Sequence, residues 1–247
     1  MFRFVRFLKS CEHDGKKESG LVSDWSKFLE GSDRSLFSQS RTHAMLLERV
    51  MIEIPKNGRV LEAGCGLAFL SKLLSDAGYD VTAGDIDDDV LAAAERLGLK
   101  APDLSYRKAD LFCLADGHAG RDYDAIIHSG VLEHFEDDQI VLAFEQQRAI
   151  TRKVVFKIPN IRTTMTPAHF GNERFLSNQK WVELAKAGGF GHVAVYGGDS
   201  LPHWTQLLPS ALHQYPRAGQ KEKRQRLFET LSGWRRFVSR HSIFVCS

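Results

Sequence analysis

The sequence predicts an α/β protein with a doubly wound, mostly parallel sheet, and two observations support this fold class. Short apolar segments alternate along the chain with amphipathic segments of helical period. The first apolar segment, residues 59–63, runs into two closely spaced glycines and then into a helical pattern. A strand, a glycine turn and a helix in this order form the place where doubly wound folds hold nucleotide-like ligands. We therefore expect the ligand site at this turn.

Composition limits the classes of protein to which the chain can belong. Its 247 residues suit one α/β domain with additions, and the formal net charge of +2 gives no reason to expect nucleic acid as a partner. The four cysteines lie far apart, without a CxxC pair or a histidine at ligand spacing. This pattern predicts reduced thiols in a cytoplasmic protein and no metal site. No apolar run approaches the roughly 20 residues of a membrane span.

The glycine turn distinguishes between two ligand classes. Gly64 and Gly66 leave the backbone open to a ligand, and the following helix start offers unpaired N–H groups. A dinucleotide site requires a third glycine at position 69 for close packing of helix and strand, but this position is Phe69. Glu62, at the end of the strand, could instead pair with a cationic amine, and S-adenosylmethionine carries one.

Two further acidic residues follow predicted strands at the same edge. Asp85 ends the strand 80–84 about 20 residues after the glycines, where doubly wound sites place a carboxylate on ribose hydroxyls. Asp110 ends the predicted third strand, which begins at residue 104. A single acid after a strand is usually a turn residue, but three in series favour a binding role. Asp88 and Asp89 fit better as first-turn acids of the helix that follows.

Three segments of the chain, two of them described above, together resemble the class I S-adenosylmethionine-dependent methyltransferases. Residues 62–68, Glu-Ala-Gly-Cys-Gly-Leu-Ala, are similar to the first family motif, which usually has a third glycine where Ala68 stands. Residues 81–87 resemble the second motif. Residues 123–135, Tyr-Asp-Ala-Ile-Ile-His-Ser-Gly-Val-Leu-Glu-His-Phe, resemble the ubiquinone-biosynthesis-like small-molecule group. The resemblance implies a seven-stranded Rossmann-like sheet, mostly parallel, with one antiparallel edge strand.

The resemblance also implies roles for individual residues. Ile86 would pack on the adenine face beside the ribose ligand Asp85. Asp110 would accept a hydrogen bond from the adenine amino group, next to the backbone N–H of Leu111. The backbone at the end of the fourth strand would line the methionine portion. The cofactor-binding residues are expected to be Glu62, Gly64, Cys65, Gly66, Asp85, Ile86, Asp110, Leu111, His128 and Ser129.

A catalytic base is harder to choose. Methyl transfer depends largely on alignment of the two reactants, although a hydroxyl acceptor also benefits from a base, most often histidine. Among ten histidines, His134 has the best position, directly after the fourth strand and near the methyl group. A helix-start residue that bonds to the backbone is an equally good interpretation of His134. His169 and His203 lie in segments expected on the substrate side.

The flanking segments are expected to shape the acceptor pocket. Residues 1–57 are predicted to form an N-terminal segment and cofactor-covering helices, and 58–247 the methyltransferase domain. The start of the chain, residues 1–8, is both basic and apolar, and it could instead dock on a membrane surface or a partner. A helical insertion, 197–240, separates the last two strands and is predicted to cap the site. Its basic run, 221–226, resembles a solvated helix face more than an RNA-binding surface.

The expected function is methyl transfer from S-adenosylmethionine to a hydroxyl or amine of a small molecule by in-line displacement. An RNA or protein methyltransferase that uses the basic insertion is one alternative. A non-catalytic S-adenosylmethionine-binding regulatory subunit is another, because the residues that match the first three motifs concern binding.

Overall fold

The computed structural model describes residues 36–99, 101–117, 123–160, 172–197 and 241–247 of the chain. Within these ranges, helices and strands alternate as the sequence predicts. In chain order the elements are α1 (Leu36–Glu53), β1 (Arg59–Ala63), α2 (Phe69–Asp76), β2 (Asp80–Asp85), α3 (Asp88–Arg96), β3 (Leu104–Lys108), α4 (Leu114–Gly117), β4 (Ala125–Ser129), a 3-10 helix (Leu132–His134), α5 (Asp137–Ile150), β5 (Val154–Pro159), α6 (Asn178–Ala187), β6 (Val193–Gly197) and β7 (His241–Cys246).

The strands form one seven-stranded sheet in the order β3-β2-β1-β4-β5-β7-β6. Strands β1 to β5 are mutually parallel, and β7 runs antiparallel to both β5 and β6. The predicted mostly parallel sheet is therefore confirmed, with the antiparallel strand β7 one position in from the edge strand β6. Because β1 to β5 are parallel, their carboxyl ends, including those of the acid-bearing strands, meet at one edge of the sheet.

Helices cover both faces of the sheet, which makes the fold doubly wound. On one face, residues of α1 and α2 such as Leu46 and Leu74 pack against alternate side chains of the central strands, including Val60. On the other face, Phe144 of α5 and Trp181 of α6 pack in a second cluster with the remaining strand side chains. This two-sided burial explains the nearly continuous apolar character of β1, β4 and β5.

Local signals position several helix ends where the sequence predicts them. Ser177 caps α6 by accepting a hydrogen bond from the backbone N–H of Lys180 at 3.2 Å. The cap of α3 is the Asp87 side chain, which accepts from the N–H of Asp89 at 2.9 Å. Asp88 and Asp89 then occupy the first helical turn, as expected.

Several sequence-based expectations lie outside the described residues. These are the segment 1–35, His169, His203 and the insertion from residue 198 to residue 240, including its basic run. Among the described residues, Cys65 and Cys246 are free and buried thiols. Cys113 is disulfide-bonded, so the prediction of reduced thiols is wrong at that position. None of the helices in the described ranges has the length and apolar character to cross a membrane.

Candidate functional site

The glycine turn after β1 bends back against β2. The backbone N–H groups of Gly64 and Cys65 both donate to the carbonyl of Gly84, at 2.8 and 2.9 Å. Gly64 and Gly66 have φ angles of 78° and 52°, in the left-handed region that favours glycine. A Cβ atom on Gly64 would lie 2.7 Å from Cγ2 of Val131. No side chain therefore fits at position 64, and the turn presents bare backbone.

Ala68 occupies the position where the family usually has glycine. Its φ angle is 58°, also left-handed, and it occupies the N-cap position of α2, fully buried and without a side-chain hydrogen bond. A left-handed backbone costs a non-glycine residue about 1–2 kcal/mol, which this small side chain tolerates. Phe69 is buried behind the turn. A large side chain at that position is the reverse of what close helix–strand packing in a dinucleotide site requires.

The carboxyl group of Glu62 is buried beneath the turn. Its Oε2 atom accepts a hydrogen bond from the Ser71 hydroxyl at 2.5 Å, so α2 holds it in place. Burial raises the pKa of Glu62 to about 8, and the Ser71 hydrogen bond offsets only part of this rise. At neutral pH the protonated form is therefore favoured, and a cationic amine placed beside the carboxyl would favour the ionised form.

Asp85 links the end of β2 to the glycine turn. One carboxyl oxygen accepts from the N–H of Gly66 and the other from the N–H of Asp87, each at 3.1 Å. Burial raises the pKa of Asp85 from its usual range. An ionised carboxylate has about four acceptor positions, so two remain for the hydroxyls of a ligand. The apolar side chain of Ile86 follows directly and is 49% exposed.

Asp110 and Leu111 lie next to Asp85. The N–H of Ala109 donates to the carbonyl of Asp85 at 2.8 Å, which brings the end of β3 against the end of β2. One carboxyl oxygen of Asp110 accepts from the N–H of Phe112 at 2.8 Å and so closes a turn directly after β3. Leu111 itself is buried. The residues predicted after β1, β2 and β3 are thus grouped at one sheet edge.

His128 and Ser129 end β4 at the same edge, but the His128 ring is not part of the edge. It is fully buried and stacks on Phe156, with ring centroids 5.1 Å apart and planes at 15°. Burial lowers the pKa of His128 to about 3, although the neighbouring Gln147 acts in the opposite direction. Any contact that His128 makes with a ligand at the edge therefore comes from its backbone.

His134 lies at the end of the 3-10 helix that follows β4. Its Nδ1 atom is 2.9 Å from the side-chain oxygen of Asn172, so the segment after residue 171 orients the ring. The ring is half-buried. His134 thus lies near the edge, in hydrogen-bond contact with an amide.

Two buried charged groups at this edge were missed by the sequence analysis. Glu133, beside His134, is 3% exposed, and Lys157 of β5 is 4% exposed. The lysine could have been noticed, because it interrupts the apolar run of β5 in the segment Val-Val-Phe-Lys-Ile. Glu133 had no comparable signal, since its burial depends on the path of the chain after residue 171. Within the described ranges, no group of three or more His, Cys, Asp or Glu residues is arranged to hold a metal ion.

The pH dependence of ligand binding tests the position of Glu62. If a cationic amine lowers the raised pKa of this carboxyl, the free protein carries the extra proton, and binding releases it. We therefore expect affinity for S-adenosylhomocysteine to rise with pH below 8 while its amino group remains protonated. Glu62→Gln should weaken binding and remove this dependence. Calorimetry in buffers of different ionisation enthalpy counts the released protons, and a count of zero in the wild type would exclude the pairing.

Comparison with known proteins shows which domains the chain resembles. A family model described as a methyltransferase domain matches residues 60–153, which run from β1 to the residue before β5. The fold resembles the crystal structure of a SAM-dependent methyltransferase from Archaeoglobus fulgidus, with a TM-score of 0.56 at 15% identity. That likeness covers 87% of this chain and 99% of the other. At this identity it supports the fold alone.

Curated relatives differ in their acceptors. The chain is 36% identical over 85 residues to the ubiquinone biosynthesis O-methyltransferase of Bordetella avium (strain 197N), which covers 34% of this chain and 35% of that protein. It is 30% identical over 132 residues to the eEF1A lysine and N-terminal methyltransferase of Mus musculus, which covers 53% of this chain and 19% of that protein. The chain thus matches about a third and about a fifth of the lengths of these two relatives.

Proposed function

We propose that the chain is a class I S-adenosylmethionine-dependent methyltransferase, which binds this cofactor where β1, β2 and β3 end and transfers its methyl group to a hydroxyl or amine of a small molecule. The observation that carries the proposal is the grouping of the bare Gly64 turn, the Asp85 and Asp110 carboxyls and the exposed Ile86 at one edge.

The residues present fit the parts of the cofactor. The left-handed backbone at Gly64 and Gly66 carries no side chains, so the methionine and ribose portions could approach it closely. Asp85 retains acceptor capacity for the ribose hydroxyls, and Ile86 offers an apolar surface for the adenine face. Asp110 and the Leu111 backbone would bond to the adenine edge. Cys65 and the backbone of His128 and Ser129 would line the remaining wall.

Glu62 would position the amino end of the cofactor. Its buried carboxyl is fixed by Ser71, so it could hold a cationic amine without moving. The bound cofactor supplies a sulfonium methyl group that is already electrophilic. The work of the protein is therefore to align an acceptor behind that methyl group, to exclude water and to receive a proton where the acceptor carries one. His134 remains a candidate for the last task.

A small-molecule acceptor is supported by the likeness of residues 123–135 to the ubiquinone-biosynthesis group and by the Bordetella avium relative. A protein acceptor is the second candidate, because the Mus musculus relative is named for lysine and N-terminal methylation. The two candidates differ in the size of the product.

Radioactive methyl transfer distinguishes these acceptors. The full chain would be incubated with methyl-tritiated S-adenosylmethionine and a host extract divided into fractions below and above about 3 kDa. We expect label in the small fraction, and the Asp85→Asn variant serves as the control for non-enzymatic labelling. Label confined to proteins of the large fraction would replace the small-molecule proposal with protein methylation. Cofactor binding without label in any fraction would favour the regulatory alternative.

A further inference from the structure

Next to the cofactor-binding edge lies a group of titratable residues that the proposed function does not use. It comprises Glu133 of the 3-10 helix, Lys157 of β5, His43 of α1 and Glu173 of the segment after residue 171. Lys157 influences the pKa of both His43 and Glu133, and Glu173 influences the pKa of Glu133, so the four side chains are close together. We call this group the Glu133 cluster.

Two atoms of this cluster are buried without a hydrogen-bond partner, Nδ1 of His43 and Oε2 of Glu133. The Oε2 atom of Glu133 is buried and has no hydrogen-bond partner, although a buried carboxyl oxygen without a donor is costly. Lys157, in contrast, is held in place, since its Nζ atom donates to the carbonyl of Thr42 in α1 at 2.5 Å. The Glu133 backbone is also fixed, because its carbonyl accepts from the N–H of Arg174 at 2.8 Å. The Glu133 side chain thus extends from a fixed backbone, and its Oε2 atom is buried and unsatisfied.

The cluster borders the glycine turn. Gly130 forms a turn directly after β4, with a φ of 73°. A Cβ atom on Gly130 would lie 3.6 Å from Oε1 of Glu133, so the Glu133 carboxyl lies next to the turn at Gly130. The next residue is Val131, and a Cβ atom on Gly64 would lie 2.7 Å from its Cγ2 atom. Strand β4 also pairs directly with β1, with Ile127 beside Glu62. A few residues therefore separate the Glu133 carboxyl from the turn that would hold the cofactor.

We propose that Glu133 contacts the acceptor: its Oε2 atom accepts a hydrogen bond from the hydroxyl or amine that is methylated, and then takes that proton. This inference rests on the proposed function for the methyl donor. As the acceptor oxygen or nitrogen forms its bond to the methyl carbon, its proton passes to the Glu133 carboxylate. The carbon–sulfur bond breaks, its electron pair stays on sulfur, and the proton later leaves to solvent. Atoms and charge balance without any further reactant.

The charges of the cluster are consistent with this role. The pKa of Glu133 is raised to about 8, mainly by burial and also by Glu173, while Lys157 acts in the opposite direction. A carboxylate with a pKa near the working pH is a better proton acceptor than one of ordinary acidity. His43 stays neutral near Lys157, because burial and that lysine lower its pKa to about 3. Two carboxyls around one lysine favour an acceptor group that donates hydrogen bonds over one that is itself a carboxylate.

Kinetics of the Glu133→Gln variant test the proposal. The amide matches the protonated carboxyl in shape, so we expect unchanged calorimetric affinity for S-adenosylhomocysteine. With the small-molecule fraction as acceptor, the methylation rate should fall by about 100- to 10,000-fold. The wild-type rate should rise with pH and level off near 8, since only the ionised carboxyl accepts a proton. Glu133→Asp should keep this profile at a reduced rate, and the exposed Glu145→Gln is the matched control. A folded Glu133→Gln variant with wild-type rate and profile would overturn the proposal.

A second measurement does not depend on an identified acceptor or on a variant that folds. In protein labelled with carboxyl-13C glutamate and saturated with S-adenosylhomocysteine, the Glu133 resonance would be followed during titration with methylammonium chloride. We expect a saturable shift, and none with tetramethylammonium chloride, which has the same charge but no N–H donor. Equal responses to both salts, or no response to either, would contradict a donor-accepting site at Glu133. If no fraction is methylated, the proposed function fails, while this titration still decides the role of Glu133.

Discussion

Gly64→Ala is expected to destabilise the protein and to abolish tight cofactor binding. Position 64 has a φ of 78°, which costs a non-glycine residue about 1–2 kcal/mol. The new methyl group would also lie 2.7 Å from Cγ2 of Val131, and such overpacking costs about 1–3 kcal/mol. Urea unfolding measures the combined loss. Calorimetry with S-adenosylhomocysteine should show affinity reduced about tenfold or more, equivalent to about 1.4 kcal/mol.

Gly98→Ala provides the matched control for this prediction. Gly98 also has a left-handed φ, of 64°, but a Cβ atom there would meet nothing within 4 Å. Its substitution should therefore carry only the backbone cost of about 1–2 kcal/mol and leave cofactor affinity unchanged. If Gly64→Ala and Gly98→Ala behave alike in both measurements, the close approach at position 64 has no functional meaning.

Asp85→Asn should weaken cofactor binding strongly while the fold is kept. The substitution preserves the shape of the side chain but removes the charge and one of the two acceptor oxygens. We expect a loss of about 1–3 kcal/mol in binding free energy, or about 5- to 150-fold in the dissociation constant for S-adenosylhomocysteine. The same substitution at Asp80, exposed at the opposite end of β2, is the control and should leave the dissociation constant unchanged. An unaltered constant in folded Asp85→Asn would mean that Asp85 only braces the turn at Gly66.

Much of the fold was predictable because its signals are local. The strand segments are apolar and short, Ser177 and Asp87 cap the helices that follow them, and Gly64 and Gly66 mark the turn. The position of β7 beside β5 was not local information, because its pairing partners are distant in sequence. The resemblance to a known family supplied the antiparallel strand, whereas periodicity alone could not.

The sequence predicted those site residues that can be recognised from one residue type at the end of a strand. Glu62, Asp85 and Asp110 each follow a strand, and the parallel sheet brings these ends together. Burial and partners were not predictable in this way. The His128 ring faces the core because strand side chains alternate, and the sequence did not tell which face holds α5. Glu133 and Lys157 meet only after β4, β5 and the segment from residue 172 are assembled.

The central claim, that the edge formed by β1, β2 and β3 holds S-adenosylmethionine, is tested most directly by calorimetry of the full chain with S-adenosylhomocysteine and with NAD under the same conditions. The arrangement of Glu62, Phe69 and Asp85 predicts saturable, one-to-one binding of S-adenosylhomocysteine and no heat of binding for NAD. Tight binding of NAD with no response to S-adenosylhomocysteine would contradict it.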